Sequence, residues 1–129
     1  MLGTRNDHGA AVVEFALVLP ILLLLVFGIV EFGRAYSIQT TISGAAREGA
    51  RVMALQNDQS AARTAAKSAA ANLSLTNGQI SVTPTTCEAD TTTPTATAVV
   101  TVTYPMSLLS GFFGSSITLT GKGVMRCHG

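Results

Sequence analysis

The chain has 129 residues, a formal charge of +1 and charged side chains at only 12% of positions. That length suits one small domain plus a distinct N-terminal segment. The sparse, scattered charge excludes the basic stripe of a nucleic-acid binder, so no nucleic-acid partner is expected.

Hydrophobic residues make up 47% of the chain, and they are unevenly placed. Many sit in one block, Ala10 to Val30, which reads AAVVEFALVLPILLLLVFGIV. Beyond it Thr, Ser, Ala and Gly dominate and aromatic residues are few. A domain built from that composition has a thin core and is marginally stable alone.

As a helix, the block spans about 31 Å, enough for the hydrocarbon core of a membrane. A cleaved secretory signal has a shorter apolar region and a small-x-small cleavage site. Here the block runs on into Glu31-Phe32-Gly33-Arg34 with no such site. A plain single-pass anchor fits the length but leaves Glu14 unexplained. A carboxylate within a bilayer helix costs about 2.5–3.5 kcal/mol at the centre and less near an end.

The residues around Glu14 read His8-Gly9-Ala10-Ala11-Val12-Val13-Glu14-Phe15. This resembles a type IV prepilin signal: a short polar leader ending in Gly, a Glu at the fifth position after it, then an aromatic. The resemblance implies cleavage after Gly9 by a membrane prepilin peptidase, with Ala10 as the new N-terminus. It also implies that Glu14 pairs with the N-terminal amine of a neighbouring subunit during assembly, beside Phe15.

A closer resemblance rests on more residues. Val13-Glu14-Phe15-Ala16-Leu17, Leu19-Pro20, Gly28-x-x-Glu31-Phe32-Gly33 and the block Ala45–Val52, AAREGARV, together resemble TadE-like proteins, pseudopilins of tight-adherence (Flp) pilus systems. The resemblance covers about residues 9–55. It implies a leader over 1–9, a transmembrane helix over 10–32 and an exported helix-plus-sheet domain over 33–129. It further implies a minor pilin or pseudopilin in the bacterial inner membrane, with its C-terminal domain outside the cytoplasm and a place in the pilus. The expected partners are the peptidase, other pilin subunits and the membrane, with no small-molecule substrate. The competing reading is a single-pass accessory or adhesion protein that never enters a filament. Charge alone argues for the other orientation, because Arg34, Arg47 and Arg51 follow the apolar block while Arg5 in the leader is offset by Asp7.

Past Glu31 the helical period continues, with Phe32, Ala35, Ile38, Ile42, Ala45, Ala46 and Val52 close to one face. Gly44, Ala45, Ala46, Gly49 and Ala50 permit a close neighbour, the protein's own sheet in the preferred reading and an intersubunit seam in the other. Glu48 and Arg51 form an i,i+3 pair on a solvated face. Asn57-Asp58 breaks the pattern, and Asp58 can cap a second helix, Gln59 to Leu73, with Ala62, Ala66, Ala69 and Leu73 on one face. Asn77-Gly78 marks a turn.

The period then becomes two, which predicts strands over Gln79–Thr83, Thr95–Tyr104 and Ser116–Cys127. Tyr104-Pro105 is expected to end the second strand, and Gly121 and Gly123 could place a bulge in the third. Glu88–Pro94 reads as a polar loop. Leu108, Leu109, Phe112 and Phe113 form the most apolar loop, which either closes the core or contacts a partner or the membrane. The fold class is therefore α+β, a long helix packed on a small antiparallel sheet.

Cys87 and Cys127 lack zinc or thioredoxin spacing. Paired in an exported domain they form a disulfide; the other reading is two buried thiols. No catalytic constellation is visible, so no enzyme is expected. His8 falls in the leader and His128 is penultimate. Glu88 and Asp90 sit in a Thr/Pro loop, and no phosphate loop, HExxH or GxSxG pattern occurs, so neither a metal nor another cofactor is expected.

Overall fold

The computed structural model describes residues 2–88, 96–108 and 116–127, with side chains from His8 onward. Helix α1 runs Leu2–Gln56 and α2 runs Gln59–Ala69. Two 3₁₀ turns, Ala71–Leu73 and Asn77–Gln79, lead into strands β1 (Ile80–Thr83), β2 (Thr97–Ser107) and β3 (Ser116–Arg126). The chain forms two compact units, Met1–Arg34 and Ala35–Gly129. The α+β class expected from the sequence is the one observed.

In the first unit the large apolar side chains from Val12 to Val30 are all exposed, as is Phe32. Phe32 is 74% exposed and does not extend the packing face of the outer helix, contrary to the periodicity reading. The inward face begins in earnest at Ile42 and continues through Ala45, Ala46, Ala50 and Met53, all fully buried.

The second unit is built on a three-stranded antiparallel sheet in the order β1-β2-β3. Alternation places Ile80 and Val82 of β1 and Ala98, Val100, Val102 and Met106 of β2 in the core, with Thr-rich positions outward. Ala62, Ala66 and Ala70 close the core from the side of α2. Ala69 is exposed, so the buried face differs from the expected one by a residue. A four-residue step from Ala66 lands on Ala70, and Leu73 only flanks the core. Asp58 caps α2 as expected: its Oδ1 accepts from the amides of Ser60 at 2.9 Å and Ala61 at 3.3 Å.

Strand β2 passes through Pro105 to Ser107 instead of ending at Tyr104-Pro105. The reason is local. β1 reaches only to Ile80, opposite Val102, so β2 has an open edge from Thr103 onward. A proline there gives up no ladder hydrogen bond. No bulge interrupts β3, whose pairing with β2 is continuous from Ser116 to Arg126.

Gly121 and Gly123 do something else. A Cβ on Gly121 would lie 2.7 Å from the carbonyl of Ile42, and one on Gly123 would lie 2.5 Å from that of Ala46. Real Cβ atoms do not approach so closely. The two glycines let the backbone of α1 rest directly on the backbone of β3, which is why a core of alanines suffices. Leu109, Phe112, Phe113, Asp90, His128 and most of the Glu88–Pro94 loop lie outside the described residues.

Candidate functional site

The segment singled out by sequence lies near the start of α1. Gly9, Ala10, Glu14 and Phe15 are all helical and exposed. A side chain at Gly9 would meet no atom within 4 Å. Ala10 and Glu14 are one turn apart on the same face, and a helical side chain leans toward the N-terminus, so Glu14 leans toward Ala10. Glu14 is the one charged residue between Gly9 and Val30. Farther along, Gly28 and Gly33 leave a shallow apolar groove bordered by Leu24, Leu25, Ile29 and Phe32. By length and composition, α1 can cross a membrane, and the apolar window that qualifies it has no buried residue.

Residues 9–51 match the family model described as TadE-like protein. The match starts at Gly9 and takes in Glu14, Pro20, the Glu31-Phe32-Gly33 run and the whole AAREGAR block. It agrees with the resemblance read from the residues. The TadE-like segment thus contains the exposed apolar helix and the stretch of α1 that beds on β3, while α2 and the sheet lie beyond it. No curated protein and no solved structure matches the chain.

Within the TadE-like block, Arg47 is exposed and Gly49 lies against Val100 and α2. Glu48 and Arg51 form the expected ion pair at 2.8 Å. The hydrogen bond from Arg51, helped by its charge, holds the Glu48 carboxyl below the usual carboxylate range, and Glu48 in turn raises the Arg51 guanidinium. Nearer the apolar run, Arg34 pairs with Glu31 at 3.8 Å.

Cys87 and Cys127 are joined in a disulfide with Cα atoms 5.2 Å apart across a sequence separation of 40. Both are buried. The sequence reading missed the residue that seats this bridge. Asn57 ends α1 with φ 51°, a left-handed conformation that Asn tolerates well. Its Oδ1 accepts from the Cys87 amide, and its Nδ2 donates to Glu88 Oε1 at 3.0 Å. The signal was present as a helix break at Asn57-Asp58, but nothing local in sequence linked it to Cys87. Among the described residues no group of His, Cys, Asp and Glu is placed to hold a metal ion.

Proposed function

We propose that this protein is a minor pilin or pseudopilin of a tight-adherence type IV pilus, made with a leader over residues 1–9 and cleaved after Gly9 by a prepilin peptidase. Residues 10–32 then anchor it in the inner membrane, and residues 33–129 form the exported domain. The observation that carries this reading is the lone carboxylate of Glu14 at the mouth of an exposed apolar helix, within the segment where the TadE-like match begins.

Physical chemistry supports the assignment of roles. A carboxylate in an apolar surround is unfavourable until paired. Cleavage after Gly9 frees an α-amino group at Ala10. Such a group ordinarily titrates at about 8 and is a cation at neutral pH, so the same step makes the partner that Glu14 lacks. Pairing with the amine of a neighbour favours entry of each new subunit. The Leu24–Gly33 groove offers a second helix a close approach, since small residues drive packing where lipid removes the hydrophobic effect.

The disulfide fits an exported domain, because such bonds persist in oxidising compartments. Arg34, Arg47 and Arg51 lie within about 15–20 residues of the span, where the positive-inside bias counts and opposes this orientation; the length of the exported domain acts the other way. The positive-inside bias acts on short loops, and segments beyond about 60 residues translocate largely regardless of charge.

Mass spectrometry of the N-terminus of membrane-extracted protein tests the proposal. The expected mature chain begins at Ala10. A chain still beginning at Met1 in cells that contain the peptidase overturns it in favour of a plain anchored accessory protein. A Glu14→Ala variant is expected to be processed and membrane-bound yet defective in pilus-dependent attachment. Normal pili in that strain would reduce Glu14 to a tolerated anchor residue.

A further inference from the structure

The two edges of the sheet are built differently. On the outer edge of β1, side chains from α2 occupy the exposed carbonyls. Gln59 Nε2 donates to Val82 O at 2.8 Å, and Arg63 Nε donates to Ile80 O at 3.3 Å. Gln59 and Arg63 are one helical turn apart, matching the two-residue step along the strand. That edge is sealed.

Among the described residues no strand pairs with the outer edge of β3, and α1 caps one of its carbonyls, that of Thr120. Its parity follows from two independent facts. Pro105 stands opposite Thr118 and has no N–H to give, and Thr120 O accepts from Gln39 of α1 at 2.8 Å. Both place the even-numbered residues of β3 in the wide pairs of the ladder, where N–H and C=O point away from β2. Thr118, Lys122 and Val124 therefore present outward N–H and C=O groups, Thr120 an outward N–H beside its capped carbonyl, and all four residues are exposed.

The side chains along this edge are also distinctive. Among the described residues, the exposed large apolar side chains of the sheet all lie on β3: Ile117, Val124 and Met125. Lys122 and Arg126 lie on the outward face, opposite Thr101 and Thr97, and no acid among the described residues of β1, β2 or β3 shares that face.

We propose that the free edge of β3 is a docking site for an extended acidic segment of another protein, which adds to the sheet as a fourth strand. Backbone bonds to the outward row hold the added strand. Its alternate side chains place acids beside Lys122 and Arg126 on one face and apolar groups against Ile117 and Met125 on the other. A second copy of this chain is a poor occupant. Its β1 edge is sealed, and two β3 edges side by side gather Lys122 and Arg126 of both copies on one face, where like charges repel. An edge lysine can also serve only to repel strands, and the experiment separates the two roles. The inference does not depend on the pilin reading.

The test uses the full chain in detergent micelles at low salt and two fluorescent peptides, one alternating glutamate with valine and one alternating lysine with valine. Anisotropy should show the glutamate peptide binding at least tenfold more tightly than the lysine peptide. Val124→Pro should weaken that binding at least tenfold, because it removes an outward N–H while leaving the β2–β3 ladder intact. Lys122→Glu should reverse the preference between the peptides, and it decides the matter if the proline variant does not fold. Thr101→Ala, on the same face but away from the edge, should leave binding unchanged. Equal binding of the two peptides, binding of neither, or self-association of the chain that Val124→Pro abolishes would each overturn the proposal.

Discussion

The two halves of α1 share one helix and obey opposite rules. From Val12 to Val30 the side chains are large and apolar, and all of the large ones are exposed. From Ile42 to Ala54 the inward residues are mostly alanine and glycine, and they are the buried ones. Hydropathy alone would rank the first half as the better core. The difference teaches that burial within the chain depends on what lies opposite. The outer half meets Gly121 and Gly123, whose missing side chains admit the helix backbone itself. The first half meets no such bed among the described residues of the chain, so its apolar surface calls for a membrane or other helices.

The comparison can be broken most forcefully at the bridge that closes the outer domain. Removing the disulfide with Cys127→Ser should destabilise that domain by about 4 kcal/mol, from the entropy of a loop of this length. Denaturant melts of the solubilised protein check this, and the helicity of the apolar half should survive the transition. Next comes the bed itself. Gly123→Ala puts a methyl group into the carbonyl of Ala46, a backbone atom that cannot swing aside. A loss of about 3 kcal/mol is expected, at the upper end for overpacking, and thermal melting would show it.

Asn57 gives a smaller and more divisible effect. Asn57→Ala loses two side-chain hydrogen bonds and strains a positive φ, together about 2 kcal/mol. Asn57→Gly relieves the strain and should recover part of that loss. Equal stability of the two variants would mean that φ is not the source. A contrast follows in the first half. Leu22→Ala, a change that costs about 2–5 kcal/mol in a core, should leave the melting of the outer domain unaltered. A clear drop would show that the apolar half supports the domain after all.

The smallest effect belongs to Glu48. Its carboxyl should titrate below the ordinary carboxylate range by carbon-detected NMR, and Arg51→Ala should return it. Its folded pKa is depressed, so any stability from the pair is present at neutral pH. That contribution is lost as pH falls through the lowered value. The group is exposed, so the change in melting should be slight.

Much of the fold was legible in the residues. The apolar span, the cap at Asp58 and the alternating strands follow from local pattern, and the pairing of Cys87 with Cys127 is one of the two readings the residues allow. The misses share a cause. The buried face of α2 takes Ala70 and not Ala69 because a four-residue step from Ala66 lands on the capping residue where the helix ends. Phe32 is counted on the packing face because periodicity says which face a residue occupies, not whether anything covers it. Pro105 was read as a strand end because its tolerance depends on where the neighbouring strand β1 stops.

The helix long enough to cross a membrane, the TadE-like character of its first part and the α+β class are written in the residues, because they rest on composition, period and motif along the chain. Packing sets the rest: Gly121 and Gly123 seat α1, Asn57 holds the cysteine segment, and α2 seals the β1 edge while no described strand pairs with the outer edge of β3. Each of these is a contact between residues far apart in sequence. Their partners become defined only when the helix and strands fix distance and direction together.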